Sequence, residues 1–433
     1  MSLPTTPVNS PNSLPERDHQ VVWHPFTQMQ TAPLPIPIVR GEGSVLYAAD
    51  GTTYLDMVSS WWVNLHGHAH PHIAQRLAEQ AITLEHVIFA GFTHQPAVEL
   101  AERLLTILPD NQAKVFYSDN GSTAVEVALK MAFQYWYNQG KPRRKVIALT
   151  DAYHGDTFGA MAVGGRNAFS APFAPFLFDV DYLPTPVTGQ EEATLELART
   201  LFTDDVAAFI VEPLVQGSGG MIMYEPAVLA ELFRLAKEQG ILLIADEVMT
   251  GFGRTGRLFA SDYLTEKADL MCLSKGLTGG TMALGVTTCT QAIYDAFLSD
   301  DRMKTLFHGH SFTANPLACS VALASMDLLL LEETQQAIQR IEANHRQFAE
   351  TLKGHTHVGT IRQQGTVLAF DLNVGEQTSY FNHIRDYAYQ FMLDRGILMR
   401  PLGNVLYLMP PYCTTDSQLE YVHEQIMALL ASL

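Results

Sequence analysis

The stretch KVFYSDNGSTAVEVALKMAFQYWYNQG, residues 114–140, decides the fold. Its opening KVFYSD reads as a strand, rich in β-branched and aromatic side chains. After the turn residues, apolar side chains recur at 124, 125, 128, 131, 132 and 135, the spacing of one helix face, and Gly140 closes the helix. The same alternation continues downstream. KVIALT (145–150), VAAFIVE (206–212), ILLIADE (241–247) and LMCLS (270–274) are short continuous apolar runs, as expected of strands buried on both faces of a parallel sheet. PAVLAELFRLAKEQG (226–240) supplies a helix between two of them. The pattern predicts an α/β domain with a mostly parallel central sheet. Residues 316–353 read as mainly helical, and strands near VLAFDL (367–372) and VLYLMPP (405–411) predict a smaller α+β domain.

A chain of 433 residues with 47% hydrophobic and 17% charged side chains has material for two or three domains. Its 27 basic against 45 acidic side chains, net -18, argue against nucleic acid or an anionic membrane as partner and favour small molecules. No run approaches the length of a membrane helix. Cys272, Cys289, Cys319 and Cys413 are scattered, which fits a reducing compartment and predicts a cytoplasmic protein. The Pro/Ser/Asn-rich N-terminus has neither the basic start nor the apolar block of a signal peptide, and part of it is expected to be disordered.

In open α/β sheets, ligands bind beyond the carboxyl ends of the strands. There the sequence places Asn120, Gly121 and Ser122 after one strand, Glu212 at the end of another, Asp246 and Glu247 after a third, and Ser274 with Lys275 after a fourth. Each has an ordinary structural use: a strand-end Asp caps helices, a strand-end Lys sits on surfaces, and Gly-Ser makes turns. Together they make a chemical set. An amine nucleophile, a carboxylate and a helix N-terminus are what pyridoxal phosphate needs: a Schiff-base partner, a counter-charge for the pyridinium nitrogen and a phosphate cradle.

At these residues the chain resembles the class III aminotransferases, of pyridoxal-phosphate fold type I. LLIADEVMTGFGRTGRLFA (242–260) followed by Lys275 in LSKGLTGG (273–280) carries the resemblance. WHPFTQM (23–29), SSWW (59–62), AYHGDTFGAM (152–161), VEPLVQGSGG (211–220), HGHSFTANP (308–316) and RPLGNVLYLMPPY (400–412) extend it toward the biotin-pathway branch of that family. The resemblance implies transamination of 8-amino-7-oxononanoate by a ping-pong mechanism through a Lys275 Schiff base, with S-adenosylmethionine as amino donor. Asp246 would pair with the pyridine nitrogen and Tyr153 stack on the ring, making Lys275, Asp246 and Tyr153 the catalytic set. His154 is read as packing. Gly121 and Ser122 would hold the phosphate, with Glu212 supporting the cofactor side. Gly309, His310 and Ser311 would come from the other subunit of a homodimer whose site lies at the interface. Ser311 stands where the family commonly has Thr, and His310 where it has Pro.

The keto substrate has a carboxylate several methylenes from its ketone, so its site needs an apolar channel ended by a cation. Arg400 is implied as that cation, with Arg254 the alternative. Trp61, Trp62, Tyr153 and Tyr407 would line or flank the channel. Phe26, a Tyr in the family, would give the donor a stacking platform without the hydroxyl. Adjacent tryptophans on an extended chain point to opposite faces, so one of the two is expected to face something other than core; the resemblance implies that this is Trp61, against substrate, with Trp62 in the core.

Alternatives come from other classes. HGHAHPH (66–72) alternates like metal ligands on a strand, but no acidic partner lies at helpful spacing, so no metal is expected. A regulator on the same fold usually adds a basic DNA-reading domain, which this acidic chain lacks. A sister transaminase acting on ornithine or 4-aminobutyrate, or lysine as donor, shares fold and cofactor. The expected division is an N-terminal segment, 1–70, contributing to the small domain and substrate site, a large cofactor-binding domain, 71–325, and a C-terminal small domain, 326–433.

Overall fold

The computed structural model describes residues 13–373 and 382–433. Most of the N-terminal stretch expected to be disordered lies outside these residues, while Leu14–Val21 forms a helix. After it come β1 (Ile38–Glu42), β2 (Val45–Ala48) and β3 (Thr53–Asp56), an antiparallel meander.

The centre is a seven-stranded sheet of β4 (Gln112–Ser118), β5 (Lys145–Leu149), β6 (Asp181–Leu183), β7 (Val206–Val211), β8 (Leu242–Asp246), β9 (Leu270–Leu273) and β10 (Gly285–Thr290), in the order β4-β10-β9-β8-β7-β5-β6. Neighbours from β9 to β6 are parallel, and β10 runs antiparallel to both β9 and β4. The mostly parallel sheet read from the apolar runs is thus present. Strand β10 was not legible because its sequence, GVTTCT, is polar for a buried strand. Its hydroxyls are satisfied internally: Thr287 Oγ1 donates to the Ala124 carbonyl at 2.7 Å and Thr288 Oγ1 to Gln112 Oε1 at 2.6 Å.

Helices α1 (Gly121–Asn138) and α2 (Pro226–Glu238) connect strands and bury Val125, Ala128, Leu229 and Phe233. Helix α3 (Pro316–Leu329) is buried nearly throughout, packed against the helices Pro71–Thr83 and Gln95–Ile107. Then α4 (Glu332–Leu352), β11 (Val358–Gln364), β12 (Val367–Leu372), β13 (Ile397–Leu398), β14 (Val405–Leu408) and α5 (Asp416–Ala431) form the smaller α+β layer, with sheet order β11-β12-β14. Strand β13 pairs in parallel with β3, so the N-terminal meander and the C-terminal region share one sheet. Among the described residues no helix is long and apolar enough to cross a membrane.

Phe209, in the middle of β7, is fully buried between Phe202 and Phe233, with ring centroids at 5.2 and 6.2 Å. Phe209→Ala should lower stability by about 3–5 kcal/mol. The measurement is the urea midpoint, which should fall with little change in the slope of the transition.

Candidate active site

Strands β8 and β9 lie in parallel register, with Asp246 opposite Cys272. Asp246 is the last residue of β8, and after β9 the chain turns at Ser274, whose Oγ donates to the Leu284 carbonyl at 2.7 Å. Lys275 follows with φ +43°, a left-handed conformation that costs a side-chain residue about 1–3 kcal/mol. The turn brings its amine into a cavity of about 460 Å³ also lined by Trp62, Gly121, Ser122, Tyr153, Glu212 and Asp246. Seven of the residues singled out from sequence, from six separate chain segments, therefore meet in one place.

The buried carboxylates there accept hydrogen bonds from fixed protein donors. Asp246 Oδ2 lies 2.7 Å from His154 Nδ1, both side chains being buried, and Oδ1 accepts from the Val248 N–H at 3.0 Å. With Nδ1 as the donor to the carboxylate, His154 Nε2 is buried without a partner among the described residues. Glu212 accepts from the Tyr153 N–H at 2.9 Å and the Gly217 N–H at 3.0 Å. Burial, first, pushes its carboxyl up to about 7, with Asp246 nearby adding to the rise against His154 and the two N–H donors. Burial also holds the Lys275 amine below its ordinary value, opposed by Asp246 and Glu212.

Beside this set is the N-terminus of α1. Asn120 caps it, Oδ1 accepting from the Thr123 N–H at 3.0 Å, while the first-turn N–H groups of Gly121 and Ser122 have no intrahelical partner. The approach around them is tight. A Cβ at Gly155, where φ is +127°, would stand 2.0 Å from Ser122 Oγ, and one at Gly121 would stand 2.7 Å from Val248 Cγ1. A compact anion fits such a site, where two N–H groups and the positive end of an 18-residue helix converge.

The tryptophan segment departs from the extended chain expected. Ser59–Trp62 is a tight helical turn in which Ser59, Ser60 and Trp62 hold φ of +49°, +61° and +66°. Trp62, 6% exposed, faces the cavity with its ring 4.8 Å from Lys275 Nζ, and its Nε1 donates to Tyr407 Oη at 2.9 Å. Trp61, 40% exposed, lies outside the cavity lining, with the Arg400 guanidinium 4.6 Å above its ring and Phe26 edge-on at 5.6 Å. Phe26, Trp61 and Arg400 thus form one cluster. Arg254 is enclosed instead, away from the cavity lining: Nη1 donates to the Pro410 carbonyl at 2.9 Å and Nη2 to the Asn64 carbonyl at 2.8 Å, while its buried Nε has no hydrogen-bond partner among the described residues.

Gly309, His310 and Ser311 lie outside their own chain's cavity lining, in a turn where the His310 N–H donates to Thr313 Oγ1 and the Ser311 carbonyl accepts from His86 Nε2. The histidines of 66–72 do not share a strand face, because Gly67 and Ala69 take positive φ and Pro71 opens a helix. Instead His66 pairs with Ser325, His68 with Asp56 and His72 with Asp327. Two named residues have contacts that the sequence reading missed. His154, read as packing, lies 2.7 Å from Asp246; its signal was a histidine just beyond the carboxyl end of β5. Asn120 caps α1, and an Asn three residues ahead of Thr123 before an apolar-periodic run is the pattern that marks it.

Residues 26–430 match the family model of the class-III aminotransferases. The chain is 50% identical over 421 residues, 95% of its length and 99% of the relative's, to the adenosylmethionine-8-amino-7-oxononanoate aminotransferase of Synechococcus elongatus. The crystal structure of the protein of that name from Methanocaldococcus jannaschii superposes with a TM-score of 0.92 at 36% identity, covering 97% of this chain and 98% of the other. An amine transaminase from an uncultivated Pseudomonas species, in its PLP-bound form, superposes with a TM-score of 0.88 at 31% identity, covering 95% and 98%.

Glu212 gives the site a pH signature. Its folded value is raised from 4.5 to about 7, so the folded state favours the protonated acid. That contribution is complete below the unfolded value and is lost as the pH rises to about 7, by up to about 3 kcal/mol. Denaturation of the ligand-free chain between pH 4.5 and 8 should show this decline, and Glu212→Gln should flatten it.

Proposed function

The chain belongs to the class-III aminotransferases, and on that premise we propose that it transfers an amino group to 8-amino-7-oxononanoate, giving 7,8-diaminononanoate for biotin synthesis, with pyridoxal phosphate as cofactor and S-adenosylmethionine as donor. The observation that carries the reading is the buried Lys275 amine beside the Asp246 carboxylate in one cavity with a helix N-terminus.

The residues present fit the cofactor. Gly121 and Ser122 would hold the phosphate, in a cradle that a Cβ at Gly155 would fill. Asp246, fixed by His154 and the Val248 N–H, would keep a proton on the pyridine nitrogen, and Tyr153, in the cavity lining, would cover the ring. Bound pyridoxal phosphate supplies an aldehyde that accepts amines and a ring that withdraws electrons from the carbon losing its proton. With its basicity reduced by burial, Lys275 would be available as the neutral amine and would hold and return the proton at that carbon. Trp62 and Met249 line the cavity beside it.

Arg400 binds the distal carboxylate of the keto substrate. Its side chain makes no ion pair among the described residues and lies over Trp61, which gives the alkyl chain an apolar wall ahead of the cation. Phe26 extends that wall toward the donor. Gly309, His310 and Ser311 act across the interface of a homodimer. Their place outside their own cavity supports this, as do the exposed rings of Phe307 and Phe312 beside them. The acidic charge and scattered cysteines support a cytoplasmic location.

The purified protein should be yellow, and Lys275→Ala should lose both that band and turnover. Adding S-adenosylmethionine alone should bleach the band in a half-reaction; bleaching by ornithine or 4-aminobutyrate, with none by adenosylmethionine or lysine, overturns the substrate assignment. Arg400→Ala should raise KM for the keto substrate by about 10- to 100-fold, the size of a lost charge-assisted pair, with smaller loss in kcat.

A further inference from the structure

Three of the four residues at 59–62 hold positive φ, and one buried carboxylate bonds the middle one of them, Ser60, and the Val58 N–H that leads into the turn. Asp56, the last residue of β3, is fully buried. Its Oδ1 and Oδ2 accept from the Ser60 N–H at 2.9 and 2.7 Å, Oδ2 accepts from Ser60 Oγ at 3.2 Å, and Oδ1 accepts from the Val58 N–H at 3.3 Å. Oδ2 also accepts from His68 Nε2 at 2.9 Å.

The direction of that last bond is set from behind. Asn64 Oδ1 accepts from the Gly67 N–H at 2.8 Å, which leaves Asn64 Nδ2 as the donor toward His68 Nδ1 at 3.2 Å. His68 Nδ1 therefore accepts and Nε2–H donates. The chain runs one way, from Gly67 through Asn64 and His68 to Asp56. Its base is fixed by Arg254, whose Nη2 donates to the Asn64 carbonyl. At its other end stand Trp62, against Lys275, and Trp61, under Arg400.

We infer that Asp56 and His68 are positioning residues for the amination, holding the 59–62 turn so that Trp62 seats against Lys275 and Trp61 against Arg400. The inference rests on the function proposed above, and gives the second histidine of HGHAHPH a role that no ligand or core position required. A neutral histidine donating from one nitrogen and accepting at the other can be replaced by glutamine, whose amide does both; leucine fills the space and does neither.

The test compares His68→Leu, His68→Gln and Asp56→Asn in the holoenzyme. His68→Leu and Asp56→Asn should keep the visible cofactor band, since neither touches Lys275. They should raise KM for 8-amino-7-oxononanoate by about tenfold, the order expected for one lost hydrogen bond to a charged group, and increase acrylamide quenching of tryptophan emission. His68→Gln should restore both readouts to near wild type. Unchanged KM and quenching in Asp56→Asn, or His68→Gln as impaired as His68→Leu, overturns the inference. Where His68→Leu does not fold, Asp56→Asn and His68→Gln decide by the same readouts. A wild-type chain inactive on this keto acid defeats the functional reading, while the quenching result still judges the turn.

Discussion

An amine and two buried carboxylates share one cavity, and the architecture around Lys275, Asp246 and Glu212 answers to that constraint. Removing these charges from solvent is costly unless other dipoles replace the lost hydration. The replacements are fixed: His154 and the Val248 N–H on Asp246, the Tyr153 and Gly217 N–H groups on Glu212. Their donors come from the ends of β5, β7 and β8, so the sheet must be parallel there for them to converge. Desolvation serves the proposed chemistry too, because the same burial that costs stability lowers the basicity of Lys275, as the role proposed for it requires.

Convergence depends on register. Pairing of Asp246 with Cys272 sets the distance along β9 at which the chain must turn, and Lys275 takes a strained φ to turn there. A slip of one residue would send the Lys275 side chain to the other face of the sheet. The wholly buried runs of β7, β8 and β9 oppose such a slip through packing on both sides. The core thus does more than stabilise: it sets the position of the amine to within a side-chain length.

The cofactor end of the site was legible in sequence because its cues are local. Parallel strands announce themselves as apolar runs, and a polar residue at the carboxyl end of such a run is conspicuous; Asp246, Lys275, Gly121 and Ser122 were found in this way. What was hidden depends on distant partners. Strand β10 is polar in sequence, and its threonines are buried only because Ala124 and Gln112 accept their hydroxyl hydrogens. Arg254 read as an alternative anion site, since nothing nearby in sequence reveals that it is buried with two of its donors on the Pro410 and Asn64 carbonyls. The turn at 59–62 reads as an extended serine-tryptophan run because Ser and Trp give no sign of positive φ; the cause, Asp56, shows only in three dimensions.

These two ends differ in how they are built, and the difference bears on how specificity can vary. The amine, carboxylates and phosphate cradle sit on strand ends and a helix N-terminus, rigid elements whose displacement would disturb the whole sheet. Phe26, Trp61 and Arg400 sit on connecting segments, held by a hydrogen-bond chain and ring contacts. Trp62 joins the halves, its ring against Lys275 and its indole N–H bonded to Tyr407 of the C-terminal layer. On the proposed function, changes among the loop residues would reshape what the site accepts without moving Lys275 or Asp246. Trp62 is the exception: altering it would disturb the Lys275 and Tyr407 contacts together, because one side chain makes both.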